Sequence, residues 1–388
     1  MCELRLAKLF VCGWSLLGWL AGANLALAAP QTRMYYVAAD EVVWDYAPSG
    51  LNRITGRPFE GPVANAVMTR SETTLGRVMK KALYREYTDA TFSTLKPRAP
   101  EWEHLGMVGP LLRAEVGDTI EILFRNNTKR TVSMHPHGVF YTKSSEGAGY
   151  EDGTAGADKA DDGVAPGGTH RYVWPVPERA GPIASEPSSS LWMYHSHVNE
   201  SADVNAGLIG PLIVSRRGAA RPDGSPNDVD TEIVAAFLEV DENQSFLFEE
   251  NIQTYALDPA KYPRVFNFAD PVFLANLKET INGFAFGHTP PMRMRQGERV
   301  RWYIFSSTNF EIHAPHWHAN TVVAMHMRTD VLNLLPMGMI VADMVPDNPG
   351  TWLFHCHVGP HLDAGMITTY EVVAVPGAIS GAGTAMSH

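Results

Sequence analysis

The sequence predicts an all-β protein built from two domains of one kind, on three observations. Short apolar and aromatic runs recur along the chain, such as TIEILF (119–124), HRYVWPV (170–176), EIVAAFLEV (232–240) and RVRWYIF (299–305). The 33 glycines and 27 prolines among 388 residues favour many turns between short strands over long helices. An internal repeat divides the chain: WMYHSHV at 192–198 returns as WLFHCHV at 352–358, an offset of 160.

Along the chain, residues 1–28 read as a secretory signal peptide. Arg5 and Lys8 precede an apolar run that closes on Ala26-Leu27-Ala28, with cleavage expected after Ala28. The first β-domain is expected over 31–216 and the second over 231–375, joined by the turn-rich, aperiodic linker 217–230. Residues 376–388 read as a disordered tail. Once cleaved, the chain carries no further stretch of membrane length, and an exported location, periplasmic or extracellular, follows.

Composition narrows the function. At 45% hydrophobic and 19% charged residues the chain is too apolar to be disordered. A net charge of −11 argues against nucleic-acid binding and fits cationic or neutral partners. Cleavage removes Cys2 and Cys12, so Cys356 is left without a sulfur partner in an oxidising compartment. Against three cysteines stand 15 histidines and 16 methionines, a balance that points to metal.

Four motifs concentrate the histidines: His135-x-His137, His195-x-His197, His313-x-x-His316-x-His318, and the run from His355 through His357 and His361 to Met366. On a strand an HxH pair puts both imidazoles on one face, about 6–7 Å apart. Four such pairs supply eight imidazoles, too many for one ion and enough for two or three. His313, Cys356, His361 and Met366 form a second kind of set, two imidazoles, a thiolate and a thioether, which suits a blue-copper electron-transfer site. Cys356 lies between His355 and His357, so its thiolate is one residue from an imidazole on either side.

The order and spacing of these motifs resemble those of the multicopper oxidases, with flanking text similar to the ceruloplasmin/hephaestin branch. That text includes YYVAADEVVWDYAPSG (35–50), GPLLRAEVGDTIEILFRNNT (109–128) and LEVDENQSF (238–246). The resemblance implies two cupredoxin-like Greek-key β-barrels and four coppers per subunit. Type 1 copper would bind His313, Cys356, His361 and Met366; type 2 would bind His135 and His316. The type 3 pair would use His137, His195 and His357 on one ion, and His197, His318 and His355 on the other. At the offset of 160, Ser196 stands for Cys356, Ser201 for His361 and Ala206 for Met366, so the first domain has no type 1 site. Two-domain members build their cluster between subunits, which implies a homotrimer.

The implied activity is oxidation of a reductant at type 1 copper, coupled to reduction of O2 to water. Cys356, His355 and His357 would carry electrons. Tyr141 matches a tyrosine near the cluster of small two-domain laccases, and Glu146 lies where an acidic proton donor is expected. Asp152, Asp158, Asp161 and Asp162 lie in an insertion that resembles a calcium-binding loop. The branch's iron site does not carry over, since Pro360 and Leu274 stand where acids are expected, although Glu279 is near. Laccase-like oxidation of a phenol or aromatic amine is the expected activity. Cu(I) is a further candidate through the methionine pairs Met292/Met294, Met325/Met327 and Met337/Met339, followed by Met344. Copper nitrite reductase and non-catalytic copper storage are the alternative classes.

Overall fold

A computed structural model describes residues 29–377 apart from Thr308 and Phe310. The expected signal peptide and all but the first two residues of the expected tail lie outside the described residues.

The first half contains β1 (Thr32–Asp45), β2 (Val78–Tyr87), β3 (Leu112–Glu115), β4 (Thr119–Asn126), β5 (His135–Pro136), β6 (Thr169–Pro175), β7 (Ser189–His195) and β8 (Ile209–Ser215). They form two sheets, ordered β2-β1-β4-β6 and β3-β8-β7-β5. The second half contains β9 (Thr231–Asp241), β10 (Leu277–Ile281), β11 (Met292–Arg295), β12 (Val300–Ser306), β13 (Pro315–Trp317), β14 (Val322–Ala324), β15 (Met327–Thr329), β16 (Met339–Met344), β17 (Gly350–Cys356) and β18 (Ile367–Val373). Its sheets run β10-β9-β12-β16-β14-β15 and β11-β18-β17-β13. The halves repeat one plan. In each, the first strand pairs in parallel with a strand of its own sheet (β1 with β4, β9 with β12). A second parallel pair closes the opposite sheet (β3 with β8, β11 with β18).

Period-two patterning explains how the sheets face one another. In β4, Ile120, Ile122 and Phe124 turn into a core with Tyr172, Trp174 and Leu212 from β6 and β8. In β12, Trp302 and Ile304 join Trp317, Phe354 and Cys356 in the second-half core. Its alternate residues Tyr303 and Phe305 face the other way, into a cluster shared with Leu191, Met193 and Ile213 of the first half. β12 is buried on both faces, which fits its apolar stretch Trp302–Phe305. Each buried aromatic contributes roughly 1.5–3 kcal/mol. Polar contacts also cross between the halves: Arg113 donates to both carboxylate oxygens of Glu232, at 3.0 and 2.9 Å. Residues 217–230 are turn-rich and pinned, with Arg221 donating to Val229 O at 2.7 Å.

Of the short helices α1 (Pro62–Met68), α2 (Glu200–Ala206), α3 (Phe248–Tyr255), α4 (Pro271–Ala275) and α5 (Gly359–Ala364), two shape the site: α2 follows β7, and α5 follows β17. Each ends on a left-handed glycine, Gly207 at φ 118° and Gly365 at φ 114°, which returns the chain to a strand.

Candidate metal centre

The thiolate pocket forms where β17 ends. His313, Cys356 and His361 are buried, with donor atoms within 4.8 Å of one another. Cys356 Sγ lies 3.9 Å from His313 Nδ1 and 3.6 Å from His361 Nδ1, and Ala314 N–H donates to it at 3.3 Å. Met366 is fully buried beside them, and Cys356 N–H donates to its carbonyl at 3.0 Å. Burial pushes His313 down to about 3 and lowers His361, so both imidazoles are neutral and free to ligate. Burial also raises the Cys356 thiol, so a thiolate there needs a cation. Two imidazoles, one sulfur and a thioether in a dry pocket fit copper.

The other eight histidines of the four motifs fall into two groups of four. In the first half, β5 and β7 put His135 directly opposite His195. His137 Nε2 lies 3.1 Å from His195 Nε2, and the His135 ring lies 5.1–5.6 Å from those of His137, His195 and His197. In the second half His316 pairs with His355 across β13 and β17. His318 Nε2 lies 3.0 Å from His355 Nε2, and the His316 ring lies 4.8–5.1 Å from those of His318, His355 and His357. Nδ1 of His195 and of His355 donates to the next residue's carbonyl, at 3.1 and 2.9 Å, leaving Nε2 for a metal. Among the described residues, no hydrogen bond or ring contact joins one group to the other. Gly138 closes the HPHG motif at φ 79°, and a Cβ there would lie 2.2 Å from the Trp192 ring.

The register corrects one sequence expectation. Ser196 does stand for Cys356, since Ser196 N–H donates to Leu208 O as Cys356 N–H does to Met366 O. Leu208 N–H donates to Asp203 O as Met366 N–H does to His361 O. Leu208 and Asp203 are therefore the counterparts of Met366 and His361, not Ala206 and Ser201. The first-half segment is two residues longer between the HxH pair and the glycine, so a constant offset fails there. Val132 answers His313, each exchanging two backbone bonds with a partner, Val164 or Leu334.

Carboxylates also approach the thiolate pocket. Glu239, Glu311 and His361 present donor atoms within 4.8 Å of one another, and His361 Nε2 lies 3.7 Å from Glu311 Oε2. Glu279 is the cross-strand partner of Glu239. Both are buried, and each leaves Oε2 without a hydrogen-bond partner. Burial, with repulsion from Glu311, raises Glu239 to about 7 and lifts Glu279 well above the carboxylate range. Pro360 and Leu274 carry no acid, but these side chains enter from β9, β10 and the loop before His313. Of the three, the sequence singles out only Glu279. An acid inside the apolar run AAFLEV was the available signal for Glu239.

The remaining candidates divide. Tyr141 packs edge-on against His135, with ring centroids 5.7 Å apart, and the two line a cavity of about 370 Å³ with His137 and Arg179. Glu146 reaches the histidines through its carbonyl, which accepts from His135 Nδ1 at 2.6 Å, whereas its carboxylate pairs with Lys143 at 2.7 Å. In the acidic insertion Asp152 pairs with Lys143 and Lys159, and Asp162 with Lys159; Asp161 keeps a buried, unpartnered Oδ1. Met292, Met294 and Met344 fill the core, and Met337 and Met339 pack at the inter-half cluster. Met325 and Met327 are exposed.

A copper-binding protein of two cupredoxin-like halves is the class that this fold and donor set define. Two family models, each described as Multicopper oxidase, match residues 104–219 and 258–375, more than half of the chain together, and the chain belongs to the multicopper oxidases. It is 43% identical to human Ferroxidase HEPHL1 over 350 residues, 89% of this chain and 30% of that protein. It is 42% identical to human Hephaestin over 346 residues, 88% of this chain and 29% of that protein. It is 36% identical to human Ceruloplasmin over 348 residues, 88% of this chain and 32% of that protein. The chain thus spans about a third of the length of these relatives. Two solved structures, one described as a multicopper oxidase and one as a Blue Copper Oxidase from Nitrosomonas europaea, share the fold at a TM-score of 0.54 each. They are 20% and 18% identical, covering 88% of this chain and 89% and 86% of theirs. Among the described residues no helix is long and apolar enough to cross a membrane.

Proposed function

We propose that this multicopper oxidase takes electrons from a low-valent metal ion, Fe(II) first among them, and that two copies of the chain together complete its oxygen-reducing cluster. The observation that carries the substrate is the carboxylate set of Glu239 and Glu311 against the outer edge of His361, with Glu279 opposite Glu239. Two buried carboxylates opposite one another repel unless a proton or a cation lies between them. A hard divalent ion held there would stand one imidazole from the thiolate pocket. The printed name Ferroxidase HEPHL1 of a relative supports the same class.

When bound, copper supplies one-electron oxidation at the thiolate pocket and four-electron reduction of O2 at the histidine cluster. His313, Cys356, His361 and Met366 would hold type 1 copper, and His135 and His316 type 2. His137, His195 and His357 would hold one type 3 ion, and His197, His318 and His355 the other, four coppers per chain. The close approaches of His137 to His195 and of His318 to His355 support this division. Cys356 links the pocket to His355 and His357 through the backbone, and Tyr141 packs on His135 where O2 would enter.

Each group of four leaves histidines open to solvent: His357 is exposed and His197 half-buried. This and the lack of contact between the groups support a cluster formed head to tail between copies, closing as a homotrimer. Export behind a cleaved signal peptide, and a calcium ion at the unpartnered Asp161 oxygen, belong to the same reading.

Complementation tests it. A His135→Ala chain lacks a working first-half group, and a His357→Ala chain lacks a working second-half group. Co-expressed, they regain Fe(II) oxidation at the interfaces that join two intact groups. Activity in neither the single variants nor the mixture would overturn the shared cluster.

A further inference from the structure

In the second half a bound copper would tie Cys356 to His361, and so secure the strand end that carries His355 and His357. The first half has no thiolate, yet its equivalent atoms are joined. Ser196 Oγ donates to Asp203 Oδ2 at 2.6 Å, along the line from Cys356 Sγ to His361 Nδ1. Ser133 N–H donates to Ser196 Oγ at 3.0 Å, as Ala314 N–H does to Cys356 Sγ. The knot extends further. Asn199 N–H donates to the same Asp203 oxygen at 3.1 Å, and His197 N–H donates to Ser133 Oγ at 3.1 Å. Ser133 Oγ donates in turn to Gly147 O at 2.6 Å. Ser133, Ser196 and Asp203 are all buried. Ser133 lies two residues before His135, and Ser196 lies between His195 and His197.

We infer that Asp203, acting through Ser196, is a positioning residue for the oxygen-reducing cluster, a metal-free staple that holds the first-half histidines as the thiolate pocket holds those of the second half. The carboxylate accepts hydrogen bonds from the Ser196 hydroxyl and from the backbone N–H of Asn199, the residue that precedes α2, so it ties the start of α2, the end of β7 and the approach to β5 into one unit. Outer hydrogen-bond partners of this kind typically set ligand affinity by 10–100-fold. The inference rests on the cluster reading above.

The test compares Asp203→Ala, Ser196→Ala and Asp203→Asn in the full chain loaded with copper. Copper affinity is measured by competition with a chelator, and the near-ultraviolet type 3 absorption and the blue type 1 absorption are recorded together. Asp203→Ala and Ser196→Ala are expected to lose the type 3 absorption and about tenfold or more in affinity at the cluster, with blue absorption intact. Asp203→Asn keeps an acceptor for Ser196 and is expected to rescue both. Ser196→Ala cuts the same bond from the other end, so the test stands even where Asp203→Ala does not fold. Wild-type cluster affinity in Ser196→Ala, or an Asp203→Asn chain as impaired as the alanine variant, would overturn the staple alone. A wild-type chain with blue absorption and no type 3 signal would overturn the cluster reading with it.

Discussion

Glu239 and Glu279 face one another across β9 and β10, two buried carboxylates at directly opposed positions. Ionising both there is unfavourable, so burial and mutual repulsion keep them toward the protonated form. Glu279→Gln is therefore expected to raise thermal stability while it raises the KM for Fe(II) about tenfold. Oxidation of a neutral phenol should be unchanged. Because burial holds Glu239 protonated up to about 7, the KM for Fe(II) falls as pH rises through that value in the wild type. Steady-state oxygen uptake with the two reductants checks both effects, and an equal loss with each would remove the carboxylates from substrate binding.

Lys81 and Glu242 form a fully buried ion pair at 2.8 Å, with Tyr46 OH donating to the same carboxylate oxygen at 2.6 Å. Lys81 comes from the first half and Glu242 from the second. Lys81→Met leaves the carboxylate buried with its cation gone, and is expected to cost about 3–5 kcal/mol in urea unfolding. Lys81→Met combined with Glu242→Leu should recover most of that loss.

Burial depresses His137 and His104 to about 4, and His195 and His313 to about 3. In the unfolded chain these groups titrate near 6.5. Below that pH the unfolded state binds more protons, so stability of the copper-free protein falls as pH drops from about 6.5 toward the folded values. The raised carboxyls Glu239, Glu279 and Asp203 work the other way, their contributions fading as pH rises above the ordinary carboxylate range, but the four histidines outnumber them. The melting temperature of copper-free protein should drop between pH 7 and 5. A flat profile would mean that the imidazoles are already solvated.

Much of this was legible in the sequence, and the reasons differ by feature. The copper donors are local: HxH spacing on a strand and the run from His355 to Met366 put ligands together through backbone geometry alone. The alternation in β4 and the apolar stretch Trp302–Phe305 of β12 likewise announce one buried face and two. What stayed hidden depends on pairing between distant strands. Glu239 meets Glu279 only through the β9–β10 register, and Glu311 joins them by folding back over His361. The constant offset puts Ser201 in the place of His361 and passes over Asp203, because two extra residues before Gly207 break the repeat. Glu146 acts through its carbonyl, which no side-chain pattern reveals.

The central claim is that electrons from a metal ion pass Cys356 on their way to a complete oxygen-reducing cluster. The most direct measurement is the ratio of Fe(III) formed to O2 consumed, with hydrogen peroxide assayed in the same vessel, for the wild type and for Cys356→Ser. Four Fe(III) per O2 without peroxide in the wild type, and no turnover in a folded, colourless Cys356→Ser chain, is the predicted result. Peroxide as the product, or undiminished turnover without the thiol, would contradict it.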